Sequence, residues 1–258
     1  MNVAIVYICT GKYNIFFKNF FDSCENNFLQ NFNKHYFIWT EKKYKKNNIT
    51  CLFKTSAGFP NDSLMRYHFF LEIENQLKEF DYIFFFNSNT IFKNKVKFDE
   101  IPKSDLVLFT GLGHERYKRF PCFFPYERNK KSKAYIPRIK HDYKYVAGGI
   151  LGGKTIAFLN LCHKIKNWID DDQLHGIVPI FHDESYLNKY YFLNANKISL
   201  LNYIYCISEE TARIKKIDAK IIFESKEKYS DKFIKRKPGI SSNFLHIINK
   251  LKHAIKWF

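Results

Sequence analysis

Apolar and polar positions alternate along the chain with a period that changes several times. Val3-Ala4-Ile5-Val6-Tyr7-Ile8-Cys9-Thr10 is a continuous apolar run closed by Gly11, the pattern of a strand buried on both faces and followed by a turn. From Ile15 to Phe32 the bulky positions Phe16, Phe17, Phe20, Phe21, Phe28, Leu29 and Phe32 fall mostly at helical spacing between Lys, Asp, Glu and Asn, which predicts an amphipathic helix. Short strands are predicted at His35 to Thr40 and Thr50 to Lys54, then a helix from Ser63 to Glu79 and a buried strand from Asp81 to Phe86. Leu106 to Phe109 reads as a strand, residues 111–145 as a polar and aromatic loop, and Ile156 to Ile169 and Glu184 to Phe192 as helices. Strands alternating with helices predict an α/β fold with a largely parallel sheet. There is no internal repeat and no linker rich in Gly, Ser and Pro, so the expected organisation is one domain over residues 1–240 and a tail over 241–258.

Composition narrows the class. With 258 residues, 46% of them apolar and 28 of them Phe, the chain can bury a sizeable core, which excludes a disulfide-stapled scaffold and wholesale disorder. No run approaches the roughly 18 to 20 apolar residues of a membrane span, and no charged leader precedes Val3, so a cytoplasmic protein is expected. The six cysteines are scattered without a C-x-x-C pair and read as reduced core thiols.

The formal charge of +17 implies a polyanionic partner: phosphate, nucleic acid or anionic lipid. Residues 211–258 hold thirteen Lys and Arg against four Asp and Glu, over half of that excess. Phe244, Ile248, Leu251, Ile255 and Phe258 share one helical face of the tail and His246, Asn249, Lys250, His253 and Lys256 the opposite one. A helix in an anionic membrane interface and a helix docked on its own core fit this pattern equally. Nucleic acid is not expected, because the lysines are not interleaved with aromatic stacking positions in a recognised module.

Three clusters carry candidate chemistry. Asn87-Ser88-Asn89-Thr90 follows the buried strand at its carboxyl end, where open α/β sheets bind ligands. Many nucleotide-sugar glycosyltransferases have Asp-x-Asp there, holding a divalent cation on the donor diphosphate. Both positions are amides here, so diphosphate charge has to be met by Lys or Arg; a plain turn is the competing reading. The second cluster is Gly148-Gly149-Ile150-Leu151-Gly152-Gly153, four of the ten glycines in six residues. It marks backbone approaching a ligand or another segment, or a tight corner in the sheet. The third is His182-Asp183-Glu184-Ser185-Tyr186-Leu187-Asn188-Lys189-Tyr190. Its carboxylates either cap a helix or stand beside a developing oxocarbenium ion.

Taken in order, Tyr126-Glu127-Arg128-Asn129-Lys130-Lys131-Ser132-Lys133-Ala134-Tyr135-Ile136-Pro137, the glycine cluster, Cys162-His163 and His182 to Tyr190 resemble glycosyltransferase family 6. That family contains the ABO histo-blood-group transferases, the α1,3-galactosyltransferases and bacterial relatives, and the similarity runs from about Tyr7 to about Lys228. The resemblance implies a GT-A fold, a single Rossmann-like nucleotide-sugar-binding domain with a mixed, mostly parallel sheet. It also implies retaining α1,3 transfer of GalNAc or Gal from a UDP-sugar. Glu184 matches the catalytic glutamate and Asp183 the aspartate on the donor sugar. Ile8, Thr10 and Tyr13 match the uridine segment, and Arg66 a donor-site arginine. Lys226 falls where a C-terminal lysine contacts phosphate. Asn87 and Asn89 match the change found in bacterial members that work without metal, so no cofactor and no metal beyond the donor itself is expected. Ala147-Gly148-Gly149 corresponds to the segment beside the sugar's C2 substituent, and Gly149 is expected to leave room for the N-acetyl group of UDP-GalNAc.

The acceptor side departs from the family. His-Pro-Gly has become His114-Glu115-Arg116, Trp-Asp appears as Tyr205-Cys206, and Phe181 stands for a tryptophan. His114, Phe181 and Glu184 are the expected acceptor contacts. The acceptor expected from the family is a galactose-containing, fucosylated glycan, here of a lipopolysaccharide built at the inner face of a bacterial cytoplasmic membrane, with the tail as a peripheral anchor. A UDP-sugar- or glycan-binding protein without turnover is the alternative.

Overall fold

The computed structural model describes residues 1–102, 104–112, 120–229 and 251–256. The boundary expected at residue 240 lies outside them, as do His114 and most of the tail.

The apolar runs meet in a seven-stranded sheet. In spatial order its strands are β3 (Ile49–Phe53), β2 (Asn33–Thr40), β1 (Asn2–Ile8), β4 (Tyr82–Phe86), β7 (Ala147–Lys154), β6 (Leu106–Phe109) and β8 (Ile198–Leu201). β3, β2, β1 and β4 are mutually parallel, β6 and β8 are parallel, and β7 runs antiparallel between the two groups. Alternate residues of β1 feed two cores. Ala4 and Val6 face one that contains Phe70, Phe158 and Ile165, whereas Val3, Ile5 and Tyr7 face one with Phe17, Phe20 and Phe86. A sheet covered on both faces explains why its strands read as unbroken apolar runs.

The helices depart from their sequence expectation at identifiable points. The expected helix Ile15 to Phe32 is a 3-10 turn, Gly11–Phe16, followed by α1 (Phe17–Asn27). It ends because Phe28 turns extended and packs its ring edge-on against Phe84 and Phe86, while the Leu29 amide bonds Val96. The expected helix Ser63 to Glu79 is three short ones, α2 (Asn61–Leu64), α3 (Arg66–Glu72) and α4 (Glu74–Leu77), broken at Met65 and Ile73. Arg66 turns inward at the first break and draws the Ser63 carbonyl to its Nε. α5 (Thr155–Leu174) and α6 (His182–Asn194) run longer than expected.

A second, three-stranded sheet was not foreseen: β5 (Thr90–Phe92), β10 (Ile221–Phe223) and β9 (Ile207–Ser208), with α7 (Glu209–Ile214) beside it. The segment after residue 120 is irregular yet has its own core of Phe124, Tyr126, Ile136, Tyr143 and Tyr145. All six cysteines are free thiols, four of them buried. Among the described residues no helix is long and apolar enough to cross a membrane.

The glycine cluster is strand β7, and its glycines are required by what lies against it. A Cβ on Gly152 would sit 2.1 Å from Cδ1 of the buried Phe84 ring, and Gly153, at φ +150°, lies against the Asp105 carbonyl. Gly152→Ala is therefore expected to destabilise the fold by about 1–3 kcal/mol through overpacking, read as a lower denaturant midpoint; an unchanged midpoint would show that the two strands can separate freely.

Candidate active site

Where β1 and β4 end, the turns that follow leave a cavity of about 150 Å³. Ile8, Thr10, Tyr13, Arg66, Asn87 and Lys226 all line it, joined by Phe59, Asp62, Ser63, Phe85 and Ser88. Six residues expected on the donor side, 218 positions apart at the extremes, thus share one wall. Lys226 follows β10 in a short 3-10 turn and holds its ammonium 4.8 Å from the Tyr13 ring centroid. Lys228, two residues further on, is bound to Glu209. Asp62 is held by Ser56 Oγ at 2.6 Å and the Ala57 amide at 2.7 Å.

Asn89 is not among the described residues that line the cavity. Its side-chain amide donates to the Glu224 carbonyl (2.7 Å) and its own carbonyl accepts from the Glu224 amide (2.8 Å). This pair joins the turn after β4 to the segment after β10, two residues before Lys226. The space beside Gly149 is also filled. A Cβ there would lie 2.6 Å from Cζ of Phe223 and 3.1 Å from the Asn87 side-chain nitrogen, so the room expected for an N-acetyl group is occupied by the ring that packs β10 on β7.

Arg66 connects the cavity to the carboxylates. Its guanidinium donates to the Gly148 carbonyl (2.6 Å), pairs with Asp183 Oδ2 (3.0 Å) and lies over the Phe85 ring. Asp183 and Glu184 occupy the first turn of α6, where the helix dipole favours negative charge, so the capping and the chemical readings hold together. Both oxygens of Glu184 are held: Tyr145 OH donates to Oε1 and the Gly148 amide to Oε2, each at 2.6 Å. A Cβ on Gly148 would lie 3.1 Å from Glu184 Oε2, so any side chain here requires the carboxylate to give by a few tenths of an ångström. Burial pushes the Asp183 carboxyl up to about 6, with the Arg66 charge opposing it. Burial also raises Glu184, against the two donated bonds, and the neighbouring Asp183 charge adds to the rise.

Asn188, one turn further on, clamps this arrangement: its side chain bonds both the amide (2.9 Å) and the carbonyl (3.0 Å) of Val146. The Tyr126 to Pro137 motif is a brace. Ser132 Oγ and the Lys133 amide both bond Asp172 on α5, which also accepts from Tyr186 of α6, and Glu127 accepts from the Ile180 amide at 2.8 Å. His182 takes φ +47° with its ring 4.9 Å from Phe59, and Phe181 is exposed just before α6. Tyr205 bonds Glu100 and Cys206 is buried, so this pair is part of the wall of the second core.

The model of glycosyltransferase family 6 matches residues 1–233. The chain belongs to glycosyltransferase family 6. Its sheet is accordingly a GT-A arrangement. The O-antigen biosynthesis glycosyltransferase WbnI of Escherichia coli is 34% identical over 89% of this chain and 97% of its own length. The histo-blood group ABO system transferase 1 of Rattus norvegicus is 26% identical over 73% of this chain and 56% of its own. The globoside alpha-1,3-N-acetylgalactosaminyltransferase 1 of Gallus gallus is 26% identical over 74% and 57%. The chain thus spans just over half the length of these two animal relatives. Within a family 6 site, Tyr145 and Asn188 are the residues that sequence reasoning missed.

Tyr145→Phe removes a donor that favours ionised Glu184. If transfer requires the carboxylate, the rate falls as pH drops through its raised pKa, and in the variant that fall moves to higher pH. A loss of about 10-fold in kcat is expected, the size of one hydrogen bond to a charged group. The pH profile of kcat checks it; an unmoved acid limb would separate Tyr145 from Glu184.

Proposed function

We propose that the chain is a retaining α1,3-glycosyltransferase that moves GalNAc or Gal from a UDP-sugar to a galactose-containing glycan, fucosylated in the blood-group-like case, without a metal ion. The observation that carries this is the Arg66 bridge: one guanidinium lines the cavity at the ends of β1 and β4 and pairs with Asp183, while Gly148, whose carbonyl it bonds, donates its own amide to Glu184.

In this reading uridine lies along Ile8, Thr10 and Tyr13, and the diphosphate faces Asn87, Lys226 and Arg66. As the bond between C1 and the phosphate oxygen breaks, negative charge accumulates on UDP and positive charge on the sugar. Lys226 meets the first, a role that a cation on Asp-x-Asp would otherwise fill and that two amides fill weakly. Glu184 meets the second, either as a fixed charge beside C1 or by attacking it; both routes end in retention. Asp183 and Ala147 to Gly149 position the sugar, and the acceptor hydroxyl arrives past Phe181. The name of the Escherichia coli relative supports an O-antigen glycan as acceptor, lipid-linked at the cytoplasmic face of a bacterial membrane.

UDP release from UDP-GalNAc and UDP-Gal, with and without 2′-fucosyllactose, in EDTA and again with Mn²⁺, tests the reading. Acceptor-dependent release in EDTA is expected, together with a loss of about 100-fold in Glu184→Gln at nearly unchanged UDP binding. Lys226→Ala is expected to lose about 10-fold or more in kcat. Release only with Mn²⁺ would overturn the role given to Asn87 and Asn89, and UDP binding without any release would make the chain a binding protein.

A further inference from the structure

Residues 251–255 are helical, and the side of this helix that packs on the protein is not its apolar one. Ala254 is buried and His253 lies beside Glu127 and Arg128, bonded to the Tyr126 backbone. Leu251 and Ile255 point outward, with the exposed Lys252 and Lys256 between and after them. A helix docked on its own core buries its apolar stripe; among the described residues this one leaves Leu251 and Ile255 open.

The open stripe has apolar company. Glu127, whose charge acts on His253, accepts from the Ile180 amide with Oε2 and from the Asn129 amide with Oε1. One carboxylate therefore holds the loop before α6 and the turn at residues 129–131, beside Tyr126, whose backbone bonds the C-terminal helix. That loop exposes Val178, Ile180 and Phe181, and the turn exposes Lys130 and Lys131. The five apolar side chains are between 43 and 69% exposed. Leu251, Ile255, Val178 and Ile180 are thus exposed apolar side chains on segments that come together around residues 126 and 127, and the same segments expose Lys130, Lys131, Lys252 and Lys256 in a chain of net charge +17.

We propose that these side chains make one apolar ridge that docks on the surface of an anionic lipid bilayer, so that the acceptor side of the site faces the membrane. Apolar side chains flanked by lysines match the two layers of such a surface, acyl boundary and anionic headgroup. Phe181 belongs to the ridge and stands three residues before Glu184. A docked molecule therefore presents its carboxylate to a glycan whose lipid end lies in that same bilayer. This last step rests on the glycosyltransferase reading above; the docking itself does not.

Vesicle flotation of the full chain separates the two. Co-flotation is expected with vesicles of phosphatidylcholine and phosphatidylglycerol, not with phosphatidylcholine alone, and added salt should weaken it. Leu251→Asp with Ile255→Asp, and separately Val178→Asp, should each weaken flotation by about 10-fold or more. Transfer to a soluble acceptor should stay at the wild-type rate in these variants, while transfer to a vesicle-anchored acceptor falls. Wild-type protein that ignores phosphatidylglycerol vesicles would overturn the proposal, as would variants that float like wild type. Wild-type flotation without transfer to any acceptor would overturn the functional reading and uphold the docking surface.

Discussion

A guanidinium buried among three chain segments organises this molecule. Arg66 bonds the Ser63 carbonyl before α3 and the Gly148 carbonyl of β7, and forms an ion pair with the Asp183 carboxylate of α6. Removing one partner from such a site leaves the other charge uncompensated, a cost of about 3–5 kcal/mol. The pair is nonetheless an incomplete bargain for stability. Asp183 titrates near 6 because burial outweighs the Arg66 charge. A carboxyl raised above its unfolded value contributes stability that is complete below about 4, the unfolded pKa, and is lost as pH rises through the folded one. At neutral pH Asp183 is therefore ionised at a cost from burial that the Arg66 charge offsets only in part.

Strand β7 shows how one glycine-rich segment serves core and site together. At its far end Gly152 admits the Phe84 ring; at its near end Gly148 offers its amide to Glu184 and its carbonyl to Arg66. Because both contacts are made by backbone, they are set by sheet register, which β4 and β6 fix from either side. Asn188 extends this control to Val146, and Tyr145, the next residue back, closes on Glu184 from the other oxygen.

The legible parts of the fold were those with long patterns. β1, β4 and β6 announced themselves as apolar runs, and β6 has the expected bounds. Thr90 to Phe92 and Ile207 to Ser208 are too short for a period to show, so the second sheet was hidden. The helix expected from Ser63 failed where Arg66 abandons helical geometry to reach its partners, a tertiary demand that local spacing cannot carry. The cavity wall was legible through family resemblance, from Ile8 to Lys226. Tyr145 and Asn188 were not, since a tyrosine or asparagine in a polar stretch acquires meaning only when another element, 39 or 42 positions away, arrives against it.

Asn89 joins these strands of argument. An aspartate there would set a carboxylate oxygen against the Glu224 carbonyl in place of the donated bond. The amide instead closes a two-bond seam between the end of β4 and the end of β10, and that seam fixes the chain two residues before Lys226. Phe223, just before the seam, wedges against Gly149 and sets the depth at which β10 meets β7. Asn89 thus acts on the cavity through the chain that carries Lys226. The amide that makes a poor cation ligand at 89 is the group that brings an ammonium to the cavity where Arg66 already lies.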